Sequence, residues 1–102
     1  MAVAFIQEFE IEGDDRSTTN YDRINERLAH NQPAPDGLLI HYAGFDEDAG
    51  VFRIVNVWET RQQGRAYHDD HVLPAVRELI PEGTGAPPAR ESSYELHHVA
   101  KP

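Results

Sequence analysis

Apolar and polar side chains alternate between residues 2 and 11. Val3, Phe5, Phe9 and Ile11 fall on one face and Ala4 and Ile6 on the other, with Gln7, Glu8 and Glu10 interspersed. Period-two patterning of this kind predicts a β-strand. The polar run Gly13-Asp14-Asp15-Arg16-Ser17-Thr18 reads as a loop, and Thr19 as the cap of a helix in which Tyr21, Ile24 and Leu28 recur at spacings of three and four. That helix is expected to stop near Asn31, ahead of Pro33 and Pro35. Two β-rich runs, Gly37 to Phe45 and Val51 to Glu59, flank the five-residue hairpin loop Asp46-Glu47-Asp48-Ala49-Gly50. From Thr60 to Ile80 the period turns helical, with Val72, Val76 and Leu79 close together on the helical wheel. Pro74 interrupts it: proline removes a backbone donor and crowds the carbonyl four residues earlier, so two helical pieces meeting around His71 are expected. A stretch rich in Gly and Pro, Pro81 to Arg90, leads to a last strand through Tyr94, Leu96 and Val99. Gly83-Thr84-Gly85 within it neither follows a strand nor opens a helix, which argues against a phosphate cradle.

Strand, helix, strand, strand, helix, strand is the order of an α+β, ferredoxin-like βαββαβ fold, a four-stranded antiparallel sheet with helices on one face, filling residues 1–102 as one domain. The third strand is apolar on both sides: Phe52, Ile54 and Trp58 point one way, Val51, Val55 and Val57 the other. Two helices cover only one face, so the other needs a partner. An identical chain related by a two-fold axis is the most economical one, and a homodimer is expected.

Composition narrows the partners further. The chain has 102 residues, and 18 acidic against 9 basic side chains leave a net charge of −9. The resulting field repels phosphate backbones and anionic lipid, so neither nucleic acid nor a membrane is expected as partner. Cysteine is absent, which removes disulfides, thiolate nucleophiles and cysteine-ligated metal centres. The apolar opening Ala2 to Ile6 is too short for a secretory signal and no run approaches the ~20 apolar residues of a membrane span. A soluble, cytoplasmic protein is expected.

Asn56-Val57-Trp58-Glu59-Thr60 at the end of the third strand, followed by a helix carrying His71 and Pro74, resembles the dimeric α/β-barrel superfamily, which includes the antibiotic biosynthesis monooxygenase group. The resemblance spans nearly the whole chain as a pattern of elements, through short motifs. It implies a dimeric barrel with a pocket between sheet and helices. Cofactor-free monooxygenases of that group oxidise aromatic polyketide intermediates such as anthrones using Asn, Trp, Tyr and Arg side chains, and Asn56, Trp58 and Tyr67 are similar in type. A plant polyketide cyclase of the superfamily carries a His-x-x-His-Val segment, which here reads His68-Asp69-Asp70-His71-Val72. Its catalytic histidine falls on His71, whereas its tyrosine partner falls on Arg65, so that Tyr67 substitutes only if the helix turns differently. The positions of the haem-degrading branch carry Gln7, Tyr67 and Arg77, against haem binding.

His71 is the first candidate for a general base, because imidazole exchanges protons near neutrality when it faces a dry pocket; the plainer alternative is a solvated histidine at a helix break. His68, four residues before Val72 on the apolar stripe, reads as a substrate-contacting or core-edge residue. His68 and His71, three apart with Asp69 and Asp70 beside them, also invite a metal, but no third ligand stands at a known spacing and none is expected. His41 interrupts the apolar run Leu38-Leu39-Ile40-His41-Tyr42 and must find a hydrogen bond, either in a pocket or at the dimer contact. Asn56 and Trp58 share a face of their strand, so an amide and an aromatic wall address one ligand, unless Trp58 is simply core. Arg53 is expected to pair with Glu8 on the other face. The residues thus point to a cofactor-independent enzyme that binds a small apolar or aromatic molecule, with His71, Tyr67 and His41 moving a proton and Trp58, Asn56 and His68 holding the substrate. A cyclase of the same fold and a non-catalytic, ligand-binding or stress-response barrel are the alternatives.

Overall fold

The computed structural model describes residues 1–29, 35–80 and 88–100. Strand β1 is Val3–Glu10, helix α1 Thr19–Ala29, β2 Leu38–Asp46, β3 Val51–Trp58, α2 Arg61–Tyr67, α3 Leu73–Leu79 and β4 Arg90–Glu95, with a π-helical turn, His68–Val72, joining α2 to α3. All strands pair antiparallel in the order β2-β3-β1-β4, with two helical segments on one face, as the ferredoxin-like pattern requires. The expected end of α1 near Asn31 and the Gly83-Thr84-Gly85 turn lie outside the described residues.

Boundaries shift where local hydrogen bonds compete with periodicity. Thr18, not Thr19, precedes the first helix: its carbonyl accepts from Asp22 N at 2.8 Å and its hydroxyl donates to the Asp22 carboxylate at 2.8 Å. The hairpin connection is one residue shorter than expected, because Asp46 already pairs with Val51 and its carboxylate takes the Ala49 N–H at 3.1 Å. Gly50 closes that turn at φ +70°, a conformation that costs glycine no Cβ clash. The last strand ends at Glu95; Leu96 makes one further ladder bond, to Ala2 O at 2.8 Å, and Val99 lies beyond it.

Two helical pieces, α2 and α3, meet around His71 as expected, but the joint is not a break. The backbone runs on through the π turn, where Leu73 N–H reaches back to His68 O, five residues away, and Pro74 occupies the first turn of α3. An i→i+5 register opens the turn at the place where the proline ring needs room and brings no donor.

The two faces of the sheet differ. Val3, Phe5, Gln7, Phe9, Phe52, Ile54, Asn56 and Trp58 face the helices, whereas Ala4, Ile6, Glu8, Val51, Arg53, Val55 and Val57 face away. α2 rides closest to the sheet because Gly64 has no side chain: a Cβ there would meet Phe5 Cε2 at 2.6 Å and Trp58 Cδ1 at 2.8 Å. On the outer face Ala4, Val55 and Val57 are buried, with Ala2, Ile6, Leu39 and Leu96 packed around them, while Ile40, Tyr42 and Tyr94 of the edge strands stay about half exposed. Beyond this apolar field Arg53 binds Glu8 (2.6 Å) and Asp46 (2.8 Å), as expected for Glu8.

Candidate functional site

Cross-strand register sets the site. His41 pairs with Asn56, Asn56 with Phe5, and Phe5 with Ser93, so one transverse row on the helix-facing side takes a residue from every strand. Three strand spacings make that row about 14 Å long. Phe5 and Asn56 are only half-buried although helices lie above them, and His41 is exposed at one end, so the helical layer does not seal the floor.

At that end three side chains form a hydrogen-bonded chain. Asn56 Oδ1 lies 2.5 Å from His41 Nδ1, and Tyr21 Oη lies 2.6 Å from His41 Nε2. The amide oxygen only accepts, so Nδ1 carries the hydrogen; in that tautomer of the imidazole Nε2 is the acceptor for the Tyr21 hydroxyl. Burial, helped by the charge of Asp22, raises the Tyr21 pKa above its ordinary value, which keeps the phenol protonated as the donor. The Tyr21 ring is stacked with His41 at 6.1 Å and meets Phe52 edge-on at 5.4 Å, locking it between α1 and the sheet.

A second group stands further along the helical layer. Trp58, 4% exposed, lies under Tyr67 with ring centroids 5.3 Å apart, and Tyr67 meets His71 at 4.9 Å. Burial also raises the Tyr67 pKa. Tyr67 and His71 line a cleft of about 200 Å³ with Arg27, Leu28, Asp70, Pro74 and Ala75. Arg27 is committed across it to Glu78 at 2.7 Å. His71 is exposed and His68 half-buried. The described residues contain no group of three or more His, Asp or Glu side chains arranged to hold a metal.

The six candidate residues therefore fall into two groups, His41 with Asn56, and Trp58 with Tyr67 and His71, while His68 stands on the π turn outside both. Tyr21 was not among them: in the sequence it is one more position of an apolar helical stripe, and nothing local marks its hydroxyl. The His41–Asn56 pairing does have a signal, since counting back from the hairpin places them opposite each other.

No known family profile matches the chain, and no curated protein matches it. Solved structures do. A structure described as an antibiotic biosynthesis monooxygenase from Chloroflexus aurantiacus superposes with TM-score 0.64 at 16% identity, covering 99% of this chain and 98% of that one. SnoaB, a cofactor-independent oxygenase from Streptomyces nogalater, gives 0.62 at 16% identity over 96% and 95%. MhuD, with two manganese protoporphyrin IX molecules in each active site, gives 0.66 at 14% identity over 98% and 99%. The chain has the fold of the antibiotic biosynthesis monooxygenase structures, and at these identities the likeness concerns the fold.

Proposed function

We propose that the protein is a cofactor-independent, monooxygenase-like enzyme that removes a proton from an aromatic or polyketide-like small molecule, with His41 as the base. The observation that carries this is the Tyr21–His41–Asn56 chain at the end of a half-open aromatic floor. His41 takes precedence over His71 because Asn56 fixes its tautomer, whereas His71 makes no side-chain hydrogen bond among the described residues and meets the Tyr67 ring instead.

A substrate lying beside Asn56 at the His41 end of the row gives up an acidic C–H or O–H proton to the Tyr21 oxygen as the Tyr21 proton passes to His41 Nε2. The result is an enolate or phenolate and an imidazolium that Asn56 Oδ1 supports through Nδ1–H. Because Asn56 spends its oxygen on His41, its Nδ2 donors are left for the substrate oxyanion. Tyr67 walls the floor, over a Trp58 that is itself core at 4% exposure. With dioxygen as oxidant an activated methylene then becomes a carbonyl, one oxygen atom going to carbon and the other leaving as water. The relation to SnoaB supports this chemistry at the level of fold. The active form is a homodimer whose second copy covers Ile40, Tyr42 and Tyr94.

The test is oxygen uptake with an anthrone and no added cofactor. His41→Ala is expected to lower kcat by about 100-fold or more, and His71→Ala by much less. Equal rates for His41→Ala and wild type would overturn the assignment. The Tyr67–His71 contact in the cleft favours a second reading, a cyclase that uses His71; the reverse pattern of losses, with ring closure and no oxygen consumed, is its signature. Tight binding without turnover would instead mark a ligand-binding barrel.

A further inference from the structure

The far end of the transverse row holds a cation. Arg61 Nη1 donates to Ser93 Oγ at 2.7 Å, and its guanidinium carbon stands 5.9 Å from the Phe5 ring centroid. Arg16, Arg27, Arg53 and Arg90 each face a carboxylate within 4 Å. Arg61 does not: its one side-chain hydrogen bond among the described residues is to the neutral Ser93 hydroxyl. Arg23, Arg65 and Arg77 share that lack of a partner but are exposed, whereas Arg61 is half-buried and lies across the floor. A guanidinium without a carboxylate, in a chain with twice as many acids as bases, keeps donors for something else.

His41 and Ser93 are the backbone ends of the row, about 14 Å apart, with Asn56 and Phe5 between them, and Arg61 reaches inward over Phe5. We infer that Arg61 and Ser93 form an anion subsite, and that the substrate is a flat, fused-ring aromatic acid whose carboxylate binds Arg61 while its acidic proton faces Tyr21 and His41. This deepens the proposed function and rests on it for the proton end only. Glu91 and Glu95 flank Ser93 on the same strand face. Glu91 accepts from Gln7 Nε2 at 3.0 Å, and both are water-exposed, where ions screen them, while Arg65 stands one turn along α2 with the opposite sign. The guanidinium plane suits a carboxylate, which it meets with two parallel N–H···O bonds.

Two probes of one shape separate the charge from the rings: anthracene-2-carboxylate and its neutral carboxamide, titrated by ligand fluorescence. Wild type is expected to prefer the carboxylate by about tenfold or more, with the preference shrinking as salt rises. Arg61→Gln should bring the two probes within about twofold while leaving carboxamide affinity unchanged, and Arg61→Lys should keep part of the preference. Equal binding of both probes by wild type, absence of binding by either, or equal loss of both in Arg61→Gln overturns the inference. The readout needs no turnover. His41→Ala should retain the preference, so failure of the oxygen-uptake assay alone removes the proton chemistry and leaves the anion subsite standing.

Discussion

Each residue of the hydrogen-bonded chain answers to a different measurement. Tyr21→Phe leaves the ring on Phe52 and removes the proton carrier, so kcat should drop by about tenfold to a hundredfold with KM little changed; in the free protein the His41 Nε2 nitrogen resonance should shift as its donor is lost. Asn56→Asp replaces the neutral acceptor with a carboxylate that favours the imidazolium, so the acid limb of the pH–rate profile should move to higher pH than in wild type. An unmoved profile would show that Asn56 does not govern the base. At this scale much was legible. His41 and Asn56 stood out as polar groups in apolar strands, and Arg53 found Glu8. Tyr21 was hidden, because a helical stripe announces burial and not what a hydroxyl at its edge will touch.

At the scale of elements, β1 was readable from its alternation of period two, and β2 and β3 as β-rich runs on either side of a turn. Two local irregularities escaped. Pairing slips between Leu38 and Ile40, where Leu39 is the extra residue, and one added residue leaves no mark on composition or alternation. The π turn was foreshadowed by Pro74, yet the resolution, a wider turn instead of a break, depends on packing that periodicity does not encode. The close seat of α2 yields a prediction. Gly64→Ala improves helix propensity by about 1 kcal/mol, but the added methyl meets two aromatic rings below 3 Å, and overpacking costs about 1–3 kcal/mol. A net loss of stability is expected by chemical denaturation, together with weaker contact between Arg61 and Phe5 as α2 lifts. The Thr60 hydroxyl accepts from Gln63 N at 3.2 Å as the cap of this helix; Thr60→Ala should cost about 1 kcal/mol.

For the whole molecule, the outer face is where the proposed homodimer is tested. Burial of its centre and exposure of Ile40, Tyr42 and Tyr94 leave an apolar surface with charged groups at one end. Sedimentation at micromolar concentration is expected to give a dimer, and Tyr42→Glu with Tyr94→Glu a monomer; a wild-type monomer would remove the homodimer. The charged end adds a pH dependence. The Arg53 hydrogen bond, with the Ala49 N–H, holds the Asp46 carboxyl below its ordinary range. A carboxyl whose pKa is depressed by folding contributes stability that is present above its unfolded value and is lost as pH falls through the folded one. Asp46→Asn should therefore lower the Tm at neutral pH and have progressively less effect as the solution is acidified below the carboxylate range. Among the described residues no helix is long and apolar enough to cross a membrane.

The π turn bears on how this helix tolerates changes in length. A one-residue deletion within His68–Val72 would tighten the backbone to ordinary α spacing and swing His71 by about 100° relative to α2, out of register with Tyr67. It would also bring the Pro74 ring against a carbonyl that the wider loop now keeps clear. Such a deletion should be tolerated only together with Pro74→Ala, so the proline depends on the surplus residue.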